Sequence, residues 1–131
     1  MGMIPAKNAL DIGILVKDIT ASLAFYQGVL GLQKLGELPI PFGHMHRLAF
    51  GDSFVKLVDP KKLPPSGELG LTKALGYRYL TFQVSNLEEI CADCERAGVP
   101  FDIPMQELMP GVFIAMVRDP DGNVVEFVQR S

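Results

Sequence analysis

The stretch DIGILVKDITASLAFYQGVLGL (residues 11–32) contains a complete strand-to-helix unit. Ile12, Ile14 and Val16 alternate with Asp11, Gly13, Leu15 and Lys17. Side chains of an extended chain point alternately to the two faces of a sheet, so residues 9–17 predict a strand with one aliphatic and one mixed face. Asp18 and Thr20 are residues that start helices because their side-chain oxygens accept from free backbone N–H groups. The segment ASLAFYQGVL then predicts an amphipathic helix, and Gly31 supplies its stop.

The same order returns further along. YRYLTFQV (77–84) predicts a second strand, and Asn86 with Glu89 three residues on predicts a capping box at the start of a helix that ends at Gly98. Asp11 to Tyr79 and Asp18 to Asn86 are each 68 residues apart, and Lys56 to Glu126 are 70 apart. Three strand-like runs follow each helix, near 32–38, 44–50 and 53–59, then 101–107, 111–118 and 123–130. Turn signals such as FGDS (50–53) and DPDG (119–122) separate them. A near-constant offset is the mark of a repeated supersecondary unit. The expected organisation is one domain over residues 1–131, with a first module at about 9–59, a connecting loop at about 60–76 and a second module at about 77–130.

Composition narrows the function classes. The 131 residues are 48% apolar and 21% charged, enough for one real core. A net charge of −3 offers no basic footprint, so neither nucleic acid nor membrane is an expected partner. Pro5, Lys7, Asn8, Asp11 and Lys17 break any apolar run at the start, and the expected location is cytoplasmic. Cys91 and Cys94 form a C-x-x-C, but they share helical spacing with Leu87, Ile90 and Ala97, which predicts core thiols rather than a redox pair.

Strand parity also sorts the polar residues. Opposite the aliphatic face, the alternation collects Asp11, Lys56, Tyr79, Thr81, Gln83 and Glu126, with Arg47 on the same side of its strand. Such a face either meets water or lines a cleft that binds a small molecule. His44 and His46, two apart, share a strand face and are a possible metal pair. They fall on the other parity, with Leu48 and Phe50, which favours a place at the strand entry or rim rather than beside Lys56. Phe54, Tyr77, Met105, Met109 and Phe113 are candidates for an apolar pocket and equally for core or subunit contact.

Together with YLTFQVSNLEEICADCERAGVPF and VFIAMVRDPDGNVVEFVQ, the opening stretch resembles the vicinal oxygen chelate superfamily, which includes glyoxalase I, methylmalonyl-CoA epimerase, extradiol dioxygenases and bleomycin resistance proteins. The resemblance rests on D-x-x-x-S-x-x-F-Y with L-G-L, and on the closing D-P-D-G-N-x-x-E. It implies an α+β fold of two βαβββ modules whose sheets form an open, cup-shaped β-barrel, commonly in a homodimer. It also implies four metal-ligand positions, which here carry Asp11, Lys56, Tyr79 and Glu126. One of the four, Glu126, keeps the family's residue.

An ammonium group cannot donate to a metal ion, and at about 4 Å with an effective dielectric near 20 it would repel a dication by roughly 8 kcal/mol. The expectation is therefore no cofactor, with Lys56 standing in for the metal charge between Asp11 and Glu126. Three functions stay open. The first is a metal-independent isomerase, epimerase or lyase acting next to a carbonyl: Lys56 faces the oxyanion, Glu126 or Asp11 is the base, Tyr79 donates a proton or hydrogen bond, and Arg47, Thr81, Gln83 and Phe54 contact the substrate. The second is a non-catalytic binding or sequestration protein of the bleomycin-resistance type. The third is a metal-dependent glyoxalase or dioxygenase whose divalent ion would be held by Glu126, Asp11 and His46. A purely structural ion-pair network of Lys56 with the two carboxylates is the remaining alternative.

Overall fold

The computed structural model describes residues 2–131. The first module runs β1 (Ile12–Leu15), α1 (Ile19–Leu23), β2 (Gln33–Ile40), β3 (Gly43–Phe50) and β4 (Ser53–Pro60). The second runs β5 (Tyr79–Gln83), α2 (Leu87–Arg96), β6 (Phe101–Met109), β7 (Val112–Arg118) and β8 (Val124–Arg130). Each module builds one four-stranded sheet in the same order, β1-β4-β3-β2 and β5-β8-β7-β6, with a parallel pair made across the helix and antiparallel hairpins beyond it. The chain divides into two compact units between Pro64 and Pro65, inside the predicted connecting loop. Among the described residues, no helix is long and apolar enough to cross a membrane.

Local chemistry sets the helix ends. Asp18 Oδ1 accepts from the N–H groups of Thr20 (3.0 Å) and Ala21 (3.2 Å), so the first cap forms as its sequence predicts. Beyond Leu23 the helix widens into a π-helical stretch, Ala24–Val29, in which Leu30 N–H reaches back five residues to Phe25 O. The 3.6-residue pattern gave no sign of this. The second cap differs from expectation too. Asn86 Nδ2 reaches the Glu89 carboxylate at 3.2 Å, but its side chain caps no backbone N–H. Gln129 on β8 supplies the acceptor instead, taking Leu87 N–H at 2.7 Å, so the cap comes from the strand beneath the helix.

The aliphatic faces carry the cores. In the first module Leu48, Val55 and Leu57 are buried together with Val16, Phe25 and Tyr26, and α1 packs on β4. In the second, Phe127, Val125, Val117 and Ala115 are buried with Leu87, Cys91 and Cys94 of α2. Burial raises both thiols, Cys94 to about 11. A pKa near 11 leaves the thiolate about two orders of magnitude scarcer than in an ordinary cysteine. In native protein at pH 8 Cys94 is therefore expected to react with a disulfide reagent at least about 100-fold more slowly than in denatured protein, with Cys91 slowed in the same direction, measured by thiolate release. Equal rates would mean that the helix face is open.

Candidate functional site

Facing residues on paired strands share a sheet face, so the register assigns each polar side chain to a side. In the first module Gly13 pairs with Lys56, and Arg47 lies directly opposite Lys56 across the β3–β4 pair. Phe54, two residues before Lys56, shares their face. Arg47 Cζ stands 4.8 Å and Lys7 Nζ 4.1 Å from the centroid of the Phe54 ring, both within cation–π range. Gly13 is exposed, and a Cβ built on it would meet nothing within 4 Å, so the space beside Lys56 is open.

Asp11 joins this face but is already engaged. Its Oδ1 accepts from Lys7 Nζ and from Phe54 N–H, each at 2.8 Å. Lys7 also donates to Asp52 O at 3.0 Å. These bonds, Lys7 first and Phe54 next, hold the Asp11 carboxyl below its usual range, and the Lys56 charge adds to the lowering from further off. Among the described residues no ion pair joins Lys56 to a carboxylate. The expected Lys56–Asp11 clasp is thus replaced by Lys7–Asp11. Lys7 lies outside any strand, where alternation says nothing about it.

In the second module Thr81 lies opposite Glu126, and its hydroxyl donates to Glu126 Oε1 at 2.7 Å. Tyr79 and Gln83 flank Thr81 on the same face of β5, and both are exposed. This face is less polar than its parity suggests, because Val124 and Val128 on either side of Glu126 are buried, as are Ile114 and Met116 opposite on β7. The reason is that β8 reads VVEFV, apolar on both faces, as strands covered on both sides do. Of the remaining apolar candidates, Tyr77, Met105 and Met109 are exposed and Phe113 is half-buried.

The four family metal positions do not offer a donor set that fits an ion. Lys56 brings a positive charge, Asp11 is held by Lys7 and a backbone N–H, Tyr79 is an exposed phenol, and Glu126 is bonded to Thr81. Nor does the register gather the expected fallback of Asp11 with His46. His46 pairs with Leu57, on the face opposite Lys56. There it meets Glu37 and His44, and the ligand atoms of these three all lie within 4.8 Å of one another. A chain expected to lack any cofactor therefore does hold a metal-capable group, at a place the repeat does not mark.

Lys34 Nζ donates to Glu37 Oε2 at 2.5 Å and His44 Nε2 meets Glu37 Oε1 at 2.8 Å, which together pull the Glu37 carboxyl down to about 2. Burial lowers His46 from its ordinary 6.5, since charging a buried imidazole costs solvation. Both shifts act the same way with pH. The unfolded chain binds protons that the fold resists, so stability is full above the unfolded values and falls as pH drops through them. Acidification in a chelator-containing buffer is expected to lower the thermal midpoint first below about pH 6.5 and again below about pH 4.5. His46→Gln should erase the first stage; a first stage that survives would assign it elsewhere.

Comparison with known proteins agrees with this topology. A curated lactoylglutathione lyase of Pseudomonas aeruginosa is 29% identical, covering 88% of this chain and 78% of that protein. A solved antibiotic binding protein from Streptomyces sp. CB03234 superposes with a TM-score of 0.75 at 26% identity, over 98% of this chain and 100% of the other. The trypanothione-dependent glyoxalase I of Leishmania major gives 0.74 at 25% identity, over 95% and 87%. Residues 9–127, almost the whole repeat, match the family profile, and the chain belongs to the Glyoxalase/Bleomycin resistance protein/Dioxygenase superfamily.

Proposed function

We propose that this protein binds a small anionic carbonyl compound on the Arg47–Lys56 face of its first module and promotes proton movement beside the carbonyl without a metal. One observation carries the reading: two cations stand directly opposite each other on neighbouring strands, with open space at Gly13 beside them. Like charges in that position destabilise a sheet, which makes sense where an anion neutralises them. The guanidinium of Arg47 suits a carboxylate on the ligand, held in a forked pair, and Lys56 suits an oxyanion that forms during reaction. The Phe54 ring gives a flat apolar contact alongside. Asp11 is the candidate base on this face. In the second module, taken by itself, Glu126 is a carboxylate steered by the Thr81 hydroxyl, with Tyr79 and Gln83 on the same side of β5. Lactoylglutathione, the compound in the name of the Pseudomonas relative, is an anionic thioester of this class.

Binding without turnover is the second reading. It is favoured by the Lys7–Phe54–Arg47 arrangement, which grips an aromatic or anionic ligand without any chemistry, and by the likeness to an antibiotic binding protein. S-lactoylglutathione, pyruvate and a panel of hydroxyketones, each followed by calorimetry and by product analysis, separate the two: ligand recovered unchanged supports capture alone. Gly13→Leu fills the open space without removing any of the polar groups of this face, and is expected to weaken binding at least about tenfold, the effect of a clash of roughly 1.4 kcal/mol. Undiminished binding in that variant, or no binding of any compound in the panel, would end the proposal.

A further inference from the structure

We propose that Glu37, His44 and His46 form a binding site for a divalent first-row transition ion such as Zn²⁺ or Ni²⁺, clipping β2 to β3 on the sheet face opposite Arg47 and Lys56. Three features converge. His44 and His46 are two residues apart on β3 and so project to one side. A β-bulge between Lys34 and Gly36 shifts the pairing of β2 by one residue, and this shift sets Glu37, rather than Gly36, opposite His46. The imidazole of His46 is buried, at 8% exposure, and its Nδ1 has no hydrogen-bond partner, with Glu37 Oε2 at 3.6 Å. A buried nitrogen without a partner is costly, and an ion would satisfy it.

The chemistry of the donors fits. Two imidazoles and a carboxylate are preferred by zinc and its neighbours, and solvent can complete the coordination. Donors about 2.1 Å from one tetrahedral ion stand about 3.4 Å apart. Closing from 4.8 Å requires rotation of Glu37 and His44, which are partly exposed, while buried His46 stays fixed. Lys34, at 2.5 Å from Glu37 Oε2, is the cation that an incoming ion must displace. This site shares no residue with the Arg47–Lys56 face, so either proposal can fail alone.

The experiment uses full-length, tag-free protein stripped with chelator and titrated calorimetrically with ZnCl₂ and with NiCl₂. One equivalent is expected to bind and to raise the thermal midpoint. His44→Gln and Glu37→Gln, both at partly exposed positions, should each weaken binding at least about tenfold and abolish the thermal gain. Lys34→Met should strengthen it several-fold by removing the competing charge. Asp11→Asn and Glu126→Gln should leave it unchanged. The proposal is overturned by absence of saturable binding, by binding undiminished in both ligand variants, or by loss of binding in Asp11→Asn or Glu126→Gln, which would move the ion to the family positions.

Discussion

Lys56→Met is expected to weaken binding of the anionic ligand by about 30- to 150-fold, while making the protein slightly more stable. The two effects have opposite signs because Lys56 has a cost in the free protein and a use in the complex. A hydrogen bond to a charged group is worth roughly 2–3 kcal/mol, which corresponds to that loss in affinity. In the free chain Lys56 faces Arg47, and among the described residues no ion pair relieves it. Removing one of two opposed like charges should return about 0.2–1 kcal/mol, and Met keeps the apolar stem that covers the strand. Calorimetric titration with S-lactoylglutathione and chemical denaturation of the same preparation read the two quantities. A structural ion-pair network predicts the reverse, a loss of about 3–5 kcal/mol in stability with the remaining carboxylates stranded. A destabilised variant with unchanged affinity would decide for that network.

The parts of this site that the sequence carries are those governed by a period. Alternation places Lys56, Arg47 and Glu126 away from the helix-covered faces, and the 68- to 70-residue offset aligns the two modules. Helical spacing buries Cys91 and Cys94, and Asp18 caps α1 through its own side chain. What escapes is contact made by residues outside the pattern. Lys7 reaches Asp11 and Asp52 from an irregular segment, so the partner of Asp11 could not be read from strand parity. The bulge that brings Glu37 opposite His46 depends on which backbone groups pair, and a period of two cannot register one extra residue. Gly36, inside an otherwise strand-like run, was the available hint. For β8 the limit is different: VVEFV is apolar on both sides, so Glu126 reveals its own direction but not that its neighbours are buried.

Asp119→Ala is expected to cost about 3–4 kcal/mol, the largest stability loss proposed for any single polar side chain here, and to disturb Glu126 without touching it. Asp119 is 5% exposed and opens the DPDG turn into β8. Its Oδ1 accepts from the N–H groups of Asp121 and Asn123, each at 2.9 Å, and its Oδ2 accepts from Asn123 Nδ2 at 2.9 Å. The backbone closes the same turn, with Asp119 N–H on Asn123 O and Gly122 N–H on Asp119 O, and Gly122 takes the left-handed φ of +91° that the turn requires. Alanine would leave two backbone donors and one amide without their charged acceptor, at roughly 1–3 kcal/mol for each group that water cannot reach. Because β8 starts at Val124, loosening the turn frees the strand end that holds Glu126 against Thr81. Asp119→Asn retains one acceptor oxygen but faces the turn with an N–H₂, and should recover about half of the loss. The denaturant midpoint should fall with an unchanged slope, since the surface exposed on unfolding stays the same. A loss under about 1 kcal/mol would mean that the backbone bonds alone fix the turn, and the Asp of the closing motif would then need another explanation.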